Sequence, residues 1–157
     1  MSALTQEASR APSQNLINVR NLSVEFRSGE TRNLAVRGID FTIGKGETVA
    51  LVGESGSGKS VSALSIMRLL AYPAAHHPTG EIFFEGKDLL KVPDAVMRDI
   101  RGGRISIIFQ EPMTSLNPLH TIEQQVGEIL RLHMGLSEAE ARTRTLDLLR
   151  KVGIRDA

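Results

Sequence analysis

Residues 53–60 read Gly-Glu-Ser-Gly-Ser-Gly-Lys-Ser and follow directly on the apolar run Thr48-Val49-Ala50-Leu51-Val52. Gly53, Gly58, Lys59 and Ser60 meet the spacing G-x-x-x-x-G-K-[ST]. These residue types suit one chemistry, the binding of a polyphosphate. Successive backbone N–H groups curled into a nest hold concentrated negative charge when no side chain blocks the approach. Glycine removes the block and reaches dihedrals that other residues avoid. A helix starting near Lys59 adds four N–H groups without intrahelical partners and the positive end of its dipole. On this reading Lys59 reaches the β- and γ-phosphates of a nucleotide and the Ser60 hydroxyl ligates Mg²⁺. Gly53, Glu54, Ser55, Gly56, Ser57, Gly58, Lys59, Ser60 and Val61 then form the candidate nucleotide-binding stretch. The competing reading is a flexible Gly/Ser linker, but linkers seldom set Lys-Ser directly at a helix start.

Such a loop needs a strand before it and a helix after it. Thr48–Val52 is bounded by glycines and predicts a strand covered on both faces. Val61, Leu64, Met67 and Leu70 recur at helical spacing, and Pro73 and Pro78 close that segment. Upstream, Leu16–Phe26 and Leu34–Ile43 predict two strands, the second bulged at Gly38. Downstream, Gly80–Leu90 predicts a strand and a turn, and Asp94–Ile100 a short helix ended by Gly102 and Gly103. Arg104–Phe109 predicts a strand stopped by "QEPMTSLNP". Two helices follow, each opened by a capping box, Thr121-x-x-Gln124 and Ser137-x-x-Glu140. The first repeats Ile122, Val126, Ile129 and Leu130; the second ends on Arg150 and Lys151 with Gly153 beyond.

The bulk composition narrows the classes. The 157 residues carry 19 basic and 18 acidic side chains, a net charge of +1, which gives no reason to expect a nucleic-acid partner. There is no cysteine, so disulfides and thiolate chemistry are excluded. No apolar run approaches the ~20 residues that span a bilayer. Residues 1–15 are polar, lack the apolar core of a secretory signal and predict a mobile tail. His76 and His77, between Pro73 and Pro78, read as a solvated loop rather than a metal site, because no third ligand stands nearby. His120 and His133 have no catalytic support.

"GESGSGKSV" followed by "IIFQEPMTSLNP" resembles the ATP-binding subunit of ABC transporters. It is most similar to the oligopeptide/dipeptide importer branch, which includes importers of glutathione and of microcin C-type peptides. The resemblance runs from about Leu16 to the last residue. It implies an α/β fold: a P-loop NTPase (RecA-like) core over residues 16–110 with an N-terminal antiparallel β part. Residues 111–157 would then hold the start of a helical subdomain. It implies ATP and Mg²⁺ as cofactors. Phe26 falls where the family places an aromatic that stacks on adenine, although an ordinary core residue at a strand end fits as well. Gln110 matches the glutamine that approaches Mg²⁺ and the attacking water and links the ATP site to the membrane partner. Lys59 and Gln110 would thus serve catalysis, Ser60 and Gln110 the metal.

The resemblance further implies transmembrane permease subunits, a second ATP-binding domain closing head-to-tail, and, indirectly, an external substrate-binding protein. The location implied is the cytoplasmic face of the inner membrane. The family's signature motif, its Walker B carboxylates and its switch histidine have no counterpart in these residues. The chain is therefore expected to be the N-terminal portion of a longer subunit, inactive by itself. Two other readings stay open, a soluble ABC ATPase without a transmembrane partner and a nucleotide-binding module without catalysis.

Overall fold

A computed structural model describes residues 15–109 and 116–154. Gln110, and the expected N-terminal tail apart from Asn15, lie outside the described residues. The chain divides into two compact units, Met1–Asp94 and Ala95–Ala157. The division expected after Gln110 falls outside the described residues.

The first unit is built on a long hairpin. Strand β1 (Asn15–Ser28) pairs antiparallel with β2 (Thr31–Gly44), turning at Gly29-Glu30. Branched residues of β1 at Val19, Leu22 and Val24 face inward and are fully buried. The register shifts at four places along the hairpin, and the expected bulge is one of them: it passes from Leu22↔Ile39 to Ser23↔Arg37, leaving Gly38 unpaired at φ +72°. The positive φ is what favours glycine; a Cβ there would lie 2.8 Å from Asn21 Oδ1 and push that side chain aside. Asn21 N–H donates to Asp40 Oδ1 at 2.9 Å and fastens the bulge.

On its other edge β1 pairs with β4 (Glu81–Phe84) and, further along, with β3 (Ala75–His76); β5 (Lys87–Asp88) extends β4. His76 is therefore a strand residue, not solvated loop. It pairs in register with Glu25, and its Nε2 lies 3.2 Å from Glu25 Oε1, which Arg27 Nε also approaches at 3.0 Å. The backbone partner across the sheet, invisible in the local sequence, decides this.

Helix α1 (Lys59–Ile66) covers the hairpin. Its buried positions are Ser62 and Ser65, whereas Val61 and Leu64 are half-buried. Both serine hydroxyls donate one turn back, to Gly58 O at 2.9 Å and Val61 O at 2.8 Å, which removes the cost of burying them. Met67, Leu70, Ile82, Phe84 and Leu89 complete the apolar core of this unit. Each such side chain contributes about 1.5–3 kcal/mol on burial.

Two expected strands do not form ladders. Residues 48–52 pair with no strand among the described residues, and Val52 is 92% exposed. In 104–109 there is a single parallel bridge, Arg101↔Ile105, and Ile108 is 91% exposed. A strand in a parallel sheet exists through neighbours on its edges, and apolar composition alone supplies none.

The second unit is helical: α2 (Asp94–Ile100) leads into it, followed by α3 (Ile122–Met134) and α4 (Glu138–Lys151). Both expected capping boxes are present, with Gln124 N–H donating to Thr121 Oγ1 at 3.2 Å and Glu140 N–H to Ser137 Oγ at 3.4 Å. The packed face of α3 differs from the expected stripe: Gly127 and Leu130 are buried, while Ile122 and Ile129 are exposed. A Cβ added at Gly127 would stand 4.0 Å from Ala141 Cβ, so this small-residue position of α3 faces α4. His133 lies against the turn after α2, where a Cβ on Gly102 would come within 2.7 Å of its Nε2. His133 itself is exposed.

Candidate functional site

The glycine-rich loop leads into α1 through Gly58, the N-cap, in the left-handed conformation at φ 89°. A Cβ at Gly58 would stand 2.7 Å from Ala35 O and 3.1 Å from Val36 Cγ2. The loop backbone is thus pressed against β2, and glycine alone fits there. No side chain caps α1. The first-turn N–H groups of Lys59, Ser60 and Val61 are left for an external acceptor, beside the positive end of the helix dipole.

Lys59 folds over the loop. Its Nζ donates to Gly53 O at 2.7 Å, Glu54 O at 2.6 Å and Ser57 Oγ at 3.1 Å. The ammonium is held by the curl of main chain that it would share with a phosphate. Ser57 N–H donates to Glu54 O at 3.2 Å and closes the turn, with Glu54 and Ser55 exposed on its outside. Ser60 is exposed and its hydroxyl makes no hydrogen bond among the described residues. A free hydroxyl oxygen suits a hard divalent cation. The half-buried Val61 acts through its carbonyl, which accepts from Ser65.

Beside the loop lies a cavity of about 630 Å³, in the range of small-molecule sites. Leu51, Val52, Gly56, Ser57, Lys59 and Ser62 line one wall, and Asn33 to Arg37 with Ile39 of β2 line another. Its charged lining residues are Arg37 and Lys59, both cationic. Of the candidate residues, Gly56, Ser57 and Lys59 reach this lining. Gly53, Glu54, Ser55, Gly58, Ser60 and Val61 build the loop and helix start around it. Phe26 is half-buried on β1 and is not part of the lining; its register partner Asn33 is. The β2 wall was missed by motif reading, because these residues act as a neighbouring strand surface and carry no spacing signature. The one available clue was Ala35, a small residue where another backbone comes close.

At the end of β1 the charges are paired. The hydrogen bond from Arg27, with His76 and other cations nearby, holds the Glu25 carboxyl below the usual range. Burial, and then the charges of His76 and Arg68, push His77 below the usual imidazole range. His77 packs against Tyr72 with ring centroids 5.9 Å apart.

Residues 36–157 match the family model for ABC transporters. The chain belongs to the ABC transporter family. The match begins at Val36, on the strand against which Gly58 rests, and takes in the whole loop. This ABC chain is 60% identical over 143 residues to the peptidoglycan transport ATP-binding protein YejF of Agrobacterium fabrum, covering 91% of the chain and 26% of that protein. It is 45% identical over 139 residues to the oligopeptide transport ATP-binding protein OppD of Bacillus subtilis, covering 88% and 39%. Among solved structures, the dimeric, post-hydrolysis ATP-binding cassette MJ0796 bound to ADP and Pi superposes with a TM-score of 0.74 at 26% identity, covering 89% of the chain and 58% of that one. The ABC chain thus spans between a quarter and a half of the length of these curated relatives. The expected fold, an ABC-type ATP-binding core with an antiparallel N-terminal sheet, stands.

Proposed function

We propose that the 53–60 loop binds MgATP and that the whole protein couples ATP hydrolysis to peptide import across the inner membrane; its relatives are named as peptidoglycan and oligopeptide transport ATP-binding proteins. The observation that carries this reading is the junction at Gly58: a glycine-fixed, uncapped helix start beside a lysine ammonium, opening on a cavity lined by cationic but no acidic side chains. Peptide transport is favoured by the identity to OppD-type and YejF-type subunits. Lys59 binds and orients the β- and γ-phosphates, and the first-turn amides of α1 share their charge. Ser60 and Gln110 would hold Mg²⁺, which when bound neutralises phosphate charge. Phe26 stacks on the base. The cavity lining carries no carboxylate, so these residues grip the nucleotide and leave water activation to groups beyond them.

Partners follow from the same reading: a second ATP-binding domain, transmembrane permease subunits on the cytoplasmic face of the inner membrane, and an external binding protein that delivers the peptide. Among the described residues no helix is long and apolar enough to cross a membrane, so attachment is assigned to the permease. The test is titration of the full-length protein with a fluorescent MgATP analogue. Saturable binding, weakened at least tenfold (about 1.4 kcal/mol or more) by Lys59→Ala, is expected. No saturable binding by the wild type, or unchanged binding by the variant, overturns the reading.

A further inference from the structure

The helical unit has a cavity of its own, about 300 Å³, between α3 and α4. That lies at the lower end of the range for small-molecule sites. It is less than one turn of an α-helix occupies, ~10–12 Å across and ~5.4 Å high, so a helix of another protein does not fit inside it. Its floor is made of small residues: Gly127 has no side chain and Ala141 is buried. Its polar lining divides into groups already engaged and two that are not. Thr121 and Gln124 are closed on each other in the capping box, Thr121 N–H donating to Gln124 Oε1 at 2.9 Å and Gln124 N–H to Thr121 Oγ1 at 3.2 Å. Arg142 Nε lies 3.4 Å from Glu123 Oε1, so these two charges offset each other. Arg131 and Glu138 remain. Neither makes a hydrogen bond or an ion pair among the described residues, with the other or with any third group. Arg131 is in the last turn of α3 and Glu138 in the first turn of α4. Each sits at the helix end whose dipole favours its sign, which keeps the charge in place without using its hydrogen-bonding atoms.

A ligand that satisfies both groups must carry a charge of each sign. A simple anion would meet Arg131 but also the carboxylate of Glu138, and a simple cation would meet the reverse. We propose that this cavity binds a small zwitterion with a free carboxylate and a free ammonium, the chemistry of an amino acid or a short peptide. Arg131 takes the carboxylate, because the fork of guanidinium N–H donors matches its two oxygens. The Glu138 carboxylate accepts from the ammonium. The floor of Gly127 and Ala141 leaves room for the ligand's main chain and offers no deep slot for a large side chain, so the cavity reads the two termini. The inference goes beyond the nucleotide-site reading and does not rest on it. Under the import reading, the ligand has the chemistry of the cargo.

Ligand-observed NMR titrations of the full-length protein test this with glycine and diglycine, which distinguish an amino acid from a peptide as the ligand. Each is run beside its N-acetyl form, which lacks the ammonium, and its amide, which lacks the carboxylate. At least one of the two zwitterions is expected to bind saturably with a Kd of about 1 mM. Either block should weaken it about fivefold, the upper end for a solvent-facing charge pair. Arg131→Gln should abolish the preference for the zwitterion over its amide and keep the preference over its N-acetyl form; Glu138→Gln should do the opposite. Damage to the fold does not produce that crossed pattern, and both glutamines suit a helix. No saturable binding of either zwitterion by the wild type up to ~10 mM overturns the inference. So does equal binding of the zwitterions and their blocked forms, or a wild-type pattern of preferences in both variants.

Discussion

Gly58→Ala tests the loop's dependence on β2, and its effect can be worked from the structure. At φ 89° an alanine carries the left-handed penalty of an L-residue, ~1–2 kcal/mol. Its methyl would stand 2.7 Å from Ala35 O, a backbone atom inside a sheet, and 3.1 Å from Val36 Cγ2. Neither neighbour can swing away, so the strand or the helix start must shift, at ~1–3 kcal/mol as for overpacked cores. The sum is about 2–5 kcal/mol, and at ~2–4 °C per kcal/mol the melting temperature falls by about 4–20 °C. Gly46→Ala is the control: it has φ +74° but nothing within 4 Å of the added methyl, so it carries the backbone penalty without the contact. The assay is thermal unfolding of both variants beside a titration with the fluorescent nucleotide. Gly58→Ala should be the less stable by about 1–3 kcal/mol and should lose nucleotide binding, while Gly46→Ala retains it. Equal melting temperatures for the two variants would refute the claim that the loop is pressed on β2.

Thr121→Ala and Ser137→Ala each remove the acceptor of a capping box, and urea unfolding should report a loss of about 1 kcal/mol for either. The pH response of His77 has a definite sign. Its folded-state value lies below its unfolded one, so the unfolded chain takes up the proton first. The stability it contributes is fully present above ~6.5, the ordinary imidazole value, and is lost as the pH falls below that toward the folded value. Urea midpoints between about pH 5 and 7.5 should therefore decline on acidification, and His77→Phe should flatten the decline; an unchanged slope in that variant removes His77 as its source.

What could be read from the sequence was what is local. The two capping boxes need four consecutive residues each, and both formed. The bulge at Gly38 was legible because a lone glycine in a branched strand has few other uses, and the helix start after Gly58 because the spacing of that turn is fixed by its own backbone. Some misreadings trace to partners distant along the chain and others to local bonds that the residue type hides. His76 has the composition of a loop and becomes strand because Glu25 lies alongside it. Ser62 and Ser65 are polar by type and yet form the buried face of α1, since each hydroxyl finds a carbonyl one turn back. Ile122 and Ile129 looked like core, but the buried positions of α3 are Gly127 and Leu130, with Gly127 facing Ala141 of α4. For the site, the loop was legible and the β2 wall was not, because a strand surface that merely lies alongside a ligand has no signature of its own.

The exposed run 48–52 sharpens the question of what holds the loop in shape. The apolar stretch leading into it has no ladder among the described residues, so that strand is not what fixes the loop here. The constraints come from the other side and from within. Gly58 is pressed on Ala35 and Val36, Ser62 N–H and Oγ both bond to Gly58 O, and Lys59 ties the carbonyls of Gly53 and Glu54 to the helix start. All of these contacts join the loop to β2 or to its own helix. It follows that strain in β2 should reach the loop directly, while residues 48–52 act on the site through Leu51 and Val52, which line the cavity. Val52 lines the cavity together with Ala35, so a polar substitution at Val52 should change nucleotide affinity through the wall itself, whereas one that moves Ala35 should change it by displacing the loop as well.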